Sequence, residues 1–136
     1  MNIICDSSFW AALYKKDSRN HSTAIQYAEK IELTPANIII PWPSMYIFLD
    51  TNFFKHGDTY AKDFSRRIRN PKYIRVKDDR YDHFSALDST IESKFKPLID
   101  YIVEKMIDDP ILKIDYIVSF RNIPKFKEHL LYLPED

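Results

Sequence analysis

The chain has 136 residues, 45% hydrophobic and 15% aromatic, a size and composition that suit one domain with one core and exclude a disordered chain. Twenty basic side chains balance twenty acidic ones, so no global field marks a nucleic-acid or membrane-surface protein, and electrostatic recognition has to be local. The single glycine, Gly57, excludes phosphate-cradling loops of the Walker or dinucleotide type, which need several glycines to bring backbone N–H groups against a ligand.

The first predicted element is a buried strand over residues 2–5, because the apolar run of Ile3, Ile4 and Cys5 ends sharply at Asp6. Asp6 then stands at the strand's C-terminal tip. Asp6, Ser7 and Ser8 can each cap a helix, and Phe9, Trp10, Leu13 and Tyr14 follow at helical spacing. Residues 21–30 form an amphipathic second helix with Ala24, Ile25, Tyr27, Ala28 and Ile31 on its apolar side. A second buried strand over 37–40 is expected to stop at Pro41, and a helix to begin near Ser44, carrying Met45, Tyr46, Phe48, Leu49, Phe53 and Phe54.

After the turn at Gly57 and Asp58, a helix over 59–69 is stopped by Asn70 and Pro71. A short strand over 73–76, helices over 81–94 and 97–108, and a last strand over 115–120 centred on Tyr116, Ile117 and Val118 complete the pattern. The tail over 125–133 fits a short helix or an edge strand. Strands alternating with helices imply parallel pairing through right-handed crossovers. The expected fold is a three-layer α/β/α domain over residues 1–136, with a mostly parallel sheet of four to five strands. Ligands bind such sheets outside the carboxyl ends of the strands, where Asp6 falls.

The start of the chain has no charged leader, and no apolar run approaches ~18 residues, so neither secretion nor membrane spanning is expected. The single cysteine, Cys5, has no internal disulfide partner and suits a reducing, cytoplasmic compartment. His56, His83 and His129 lack metal-ligand spacing, which argues against zinc. A haloacid-dehalogenase phosphatase would need an aspartate two residues after Asp6, where Ser8 stands.

Asp100 sits one turn inside the helix opened by Pro97, beside the core-facing stripe of Leu98, Ile99, Ile102 and Val103. A carboxylate so placed needs a hydrogen-bond partner or a metal. The competing reading is a plain capping aspartate for Asp6 and an exposed or capping aspartate for Asp100. Arg66, Arg67, Arg69, Lys72, Arg75 and Lys77 form a basic cluster around Tyr73 that could neutralise several phosphates. Its competing reading is a solvated helix end near the carbonyl pole, offset by Asp78, Asp79 and Asp82. Of the many aromatics most belong to a core, and some to a dimer or partner interface.

In order and spacing these pieces resemble the PIN-domain endoribonucleases, including the VapC-like toxins of bacterial toxin-antitoxin pairs, over most of the chain. The opening Ile3, Ile4, Cys5, Asp6, Ser7, Ser8 looks like the family's apolar strand, Asp and Ser/Thr, and His21 to Ala24 looks like its His-x-x-Ala. Ile38, Ile39, Ile40, Pro41, then Leu98, Ile99, Asp100, then Ile114 to Phe120 resemble the later landmarks. The resemblance implies a cluster of three or four acids holding one or two Mg2+ or Mn2+ ions that activate water to cleave RNA, in a homodimer that meets an antitoxin. Asp6 and Asp100 match the first and third acids. The second falls near Ile47, which cannot ligate, and Asp50 one turn on is the substitute. At the fourth place Ser119 matches, but Arg121 stands where an acid is usual. A guanidinium there repels a cation and can pair with Asp6 or Asp100. Two expectations follow. One is a metal-dependent endoribonuclease using Asp6, Asp50, Asp100 and Ser119, with Arg121 and the basic cluster on RNA. The other is a catalytically degenerate PIN-like module that binds RNA or a protein.

Overall fold

The computed structural model describes residues 1–42, 58–77, 87, 88, 91, 98–121 and 125. In chain order these give β1 (Asn2–Cys5), α1 (Ser7–Tyr14), α2 (His21–Leu33), β2 (Asn37–Trp42), α3 (Asp58–Ile68), β3 (Tyr73–Lys77), α4 (Leu98–Asp108) and β4 (Tyr116–Val118). The four strands form one sheet in the order β3-β2-β1-β4, and every pairing is parallel.

The strands read as unbroken apolar runs because both faces of the sheet are covered. Side chains alternate across the sheet and so divide the core in two. Ile3, Cys5, Ile38, Ile40, Tyr73 and Val118 pack with Phe9, Trp10, Ala24, Ala28, Ile31 and Phe64 from α1, α2 and α3. Ile4, Ile39, Val76 and Ile117 pack with Ile102, Val103, Met106 and Ile107 from α4. The result is the three-layer arrangement expected from the sequence.

Trp10 anchors the first face. Its ring meets Phe9 and Phe64 edge to face, each at a centroid distance of 5.0 Å, a geometry that adds to the apolar burial of the rings.

Several boundaries differ from those read in the sequence. The second strand does not stop at Pro41: it continues through Pro41 and Trp42, which pair with Val76 and Lys77. Ile38 N–H donates to the Lys72 carbonyl on the β3 side, and amides alternate along a strand, so position 41 faces β1. There the missing proline N–H breaks off the ladder after Ile4 opposite Ile39, while the β3 side of the strand stays paired. The Cys5 carbonyl, left free by that proline, accepts instead from Trp10 Nε1 at 3.2 Å.

The second helix runs on to Leu33, and its buried residues are Ala24, Ala28 and Ile31. Ile25, expected on the apolar side, is exposed. The third helix begins at Asp58 and ends at Ile68. The last strand contracts to Tyr116–Val118, the residues that pair with Ile3, Ile4 and Cys5 of β1. The helix expected from Ser44 lies outside the described residues. So does most of the one over 81–94, of which 87, 88 and 91 are helical, and most of the tail, of which Lys125 is helical.

Candidate functional site

The site begins with a strand end and a helix cap that are the same residue. Asp6 keeps an extended backbone, and its side chain accepts from Phe9 N–H at 3.1 Å, which closes the first turn of α1. The register that sets Cys5 opposite Val118 brings Ser119 alongside Asp6, and Asp6 N–H donates to the Val118 carbonyl at 3.3 Å.

Two hydroxyls complete the support. Ser8 Oγ donates to Asp6 Oδ1 at 2.6 Å and Ser119 Oγ donates to Oδ2 at 2.5 Å. Each hydroxyl also accepts a backbone N–H, Ser8 from Phe120 at 2.9 Å and Ser119 from Arg121 at 3.0 Å. The loop after β1 and the loop after β4 are therefore stitched together through one carboxylate.

Asp6 and Asp100 are the buried charged side chains among the described residues, 2% and 3% exposed. Burial raises the Asp6 carboxyl above its ordinary pKa, while the hydrogen bonds from Ser119, Ser8 and Phe9 and the charge of Arg121 restrain that rise. Asp100 lies in the first turn of α4, where the helix dipole favours a negative group. Arg121 faces it, with Nε 3.8 Å from Asp100 Oδ1. One guanidinium thus acts on both buried carboxylates, as the fourth position in the sequence suggested.

Asp50 and Ile47 lie outside the described residues. Among the described residues no group of three His, Cys, Asp or Glu side chains is placed to hold a metal ion. Mg2+ can be bound by one or two carboxylates together with waters and substrate phosphates. Asp6 and Asp100 fit that smaller donor set, and Arg121 opposes it.

The basic cluster, contiguous in sequence, is divided by the fold. Arg75 and Lys77 lie toward the carboxyl end of β3, the end of the sheet at which Asp6 stands, and Arg75 sits over the Trp42 ring at 5.7 Å from its centroid. Arg69 and Lys72 belong to the connection into the opposite end of β3, where Lys72 Nζ donates to the Thr34 carbonyl. Arg66 is exposed on α3.

Arg67 is bound up in a polar network that the sequence reading missed. It pairs with Glu32 at 3.0 Å and Asp63 at 3.7 Å. Tyr14 donates to Asp63 at 2.6 Å and Tyr73 to Glu32 at 2.5 Å. The sequence offers only the i,i+4 spacing of Asp63 and Arg67 as a signal. Ser8 was also missed as a hydrogen-bond support of Asp6; its signal is a hydroxyl two residues after the strand-end aspartate.

No protein-family model matches the sequence, and no curated protein matches it. A structural match does exist. The four-stranded parallel sheet between helical layers, with the buried aspartate at the end of its first strand, is a VapC-like PIN fold. It is similar to the crystal structure of Mycobacterium tuberculosis VapC20, whose description is a sarcin-ricin loop cleaving toxin. The TM-score is 0.64 at 15% identity, with 95% of this chain and 96% of that chain covered.

Proposed function

We propose that this chain is a PIN-like, Mg2+- or Mn2+-dependent endoribonuclease serving as the toxin of a toxin-antitoxin pair. The observation that carries the reading is the convergence of Asp6 and Asp100, buried carboxylates from distant stretches of chain, on Arg121 in a VapC-like fold. Burying two carboxylates is costly unless they serve a cation or are fully bonded.

Asp6 and Asp100 would hold the ion, with Asp50 as a third oxygen donor. A bound divalent ion supplies a water of lowered pKa and positive charge for the phosphate oxygens. Ser8 Oγ and Phe9 N–H hold Asp6 Oδ1 and Ser119 Oγ holds Oδ2, which keeps the carboxylate in one orientation. Arg75 and Lys77 at the same end of the sheet are the nearer candidates for flanking phosphates, with Arg66, Arg69 and Lys72 further away, while Arg67 is taken up by Glu32 and Asp63.

The neighbour's described action on the sarcin-ricin loop makes structured RNA the first substrate to try. Aromatic surface would serve a homodimer and an antitoxin. No helix among the described residues is long and apolar enough to cross a membrane, and a cytoplasmic site of action accords with the single buried thiol.

Purified protein incubated with structured RNA and Mn2+ is expected to cut it, and Asp6→Asn to abolish the cut while keeping the helix cap. Unchanged cleavage by that variant rejects the assignment.

A second reading is favoured by Arg121 itself: a PIN-like module that binds RNA or a protein without cleaving. It predicts RNA retention in a gel shift with no cutting at any Mg2+ or Mn2+ concentration. It is rejected if Asp6→Asn removes a measurable nuclease activity.

A further inference from the structure

Arg121 leaves the end of β4 with its backbone N–H bound to Ser119 Oγ at 3.0 Å, and Ser119 in turn donates to Asp6. The starting point of its side chain is therefore fixed by the same hydroxyl that supports the first carboxylate. From there the guanidinium reaches Asp100, with Nε 3.8 Å from Oδ1, and its charge is also felt by Asp6.

Nε is buried and makes no hydrogen bond among the described residues. An arginine that recognises a carboxylate by directed bonds does so at about 2.7–2.9 Å, often through two parallel contacts. The Arg121 Nε contact is longer, at ion-pair distance, and that nitrogen is held by charge alone. Asp100 is almost wholly enclosed, at 4% side-chain exposure, whereas Arg121 is 38% exposed, so the guanidinium can turn toward solvent without disturbing the core.

We propose that Arg121 is a built-in counterion, standing across Asp100 and Asp6 and competing with a divalent cation for their charge. The proposal rests on the nuclease reading in so far as those two carboxylates are the ones that receive the ion. Two carboxylates and one guanidinium sum to a single negative charge. A divalent ion arriving beside the guanidinium leaves the cluster positive, whereas one arriving after it has turned away leaves the cluster neutral. In a site of low dielectric that difference is large enough to set affinity.

Calorimetric titration with MnCl2 tests this on the whole chain. Arg121→Gln is expected to bind Mn2+ at least about ten-fold more tightly than the wild type. Arg121→Lys, which keeps the charge, stays close to the wild type, and Asp100→Asn added to Arg121→Gln removes the gain. Equal affinity for the wild type and Arg121→Gln, or an equal gain in Arg121→Lys, overturns the proposal. The wild type alone supplies a test that needs no Arg121 variant to fold. Micromolar Mn2+ binding that Asp6→Asn abolishes would mean that Arg121 is no competitor. Tight binding by Arg121→Gln without cleavage of RNA by any form keeps the counterion and defeats the nuclease reading instead.

Discussion

Ser119→Ala isolates the hydrogen bond that joins the end of β1 to the segment after β4. The hydroxyl donates to Asp6 Oδ2 at 2.5 Å and accepts from Arg121 N–H at 3.0 Å. A hydrogen bond to a charged group contributes about 1.5–3 kcal/mol, and the bond lost at Arg121 N–H is only part-buried. The expected loss at pH 8 is therefore about 2 kcal/mol, or roughly 6–10 °C in Tm at this chain length.

The loss should depend on pH with a definite sign. Burial raises the Asp6 pKa above its ordinary 3.8, so the folded chain holds that proton more tightly than the unfolded one. Stability from this group therefore falls as pH rises from the ordinary carboxylate range through the raised folded value. Ser119 is the largest of the influences that restrain the shift, and without it the fall is steeper and continues to higher pH. Urea unfolding of both proteins across acidic to mildly alkaline pH should show a small difference at the acid end that grows to a plateau. A difference that does not change with pH, or one below about 0.5 kcal/mol at pH 8, refutes the bond's assigned role.

Arg67→Met should cost about 2 kcal/mol in thermal unfolding, because Glu32 and Asp63 lose their common partner, while RNA affinity measured by filter binding stays unchanged. Arg75→Ala is expected to weaken RNA binding and reduce the salt slope by about 0.7. Arg69→Ala, at the other end of the sheet, should do so less, and the reverse order would contradict the placement of the RNA path. Cys5 is fully buried and its thiol pKa is pushed up, first by burial and then by the neighbouring Asp6. A thiol-specific chromogenic reagent should therefore label folded protein only at the rate of unfolding. Labelling as fast as in denaturant would place that thiol at the surface.

Local chemistry was enough to read much of this protein from its residues. The abrupt change from Ile3, Ile4 and Cys5 to Asp6, Ser7 and Ser8 marks a strand, a cap and a helix, because hydrophobic periodicity and capping are properties of neighbouring residues. The same logic found α3, β3 and α4 to within a few positions and put Asp6 at the carboxyl end of a strand in a parallel sheet. Pro41 misled for a local reason as well: whether a missing N–H matters depends on which neighbour that N–H would have faced, and only strand order answers that. Sheet register brought Ser119 onto Asp6, and the packing of α4 on the sheet decided that Arg121, which the sequence offered to either carboxylate, lies at ion-pair distance from Asp100. Folding also split six consecutive-looking cations between two ends of one sheet and drew Arg67 into Glu32 and Asp63. Sequence therefore decided which segments could be buried and which could turn, while the tertiary structure decided which charges meet, because burial is selected residue by residue but electrostatic partners are chosen by distance.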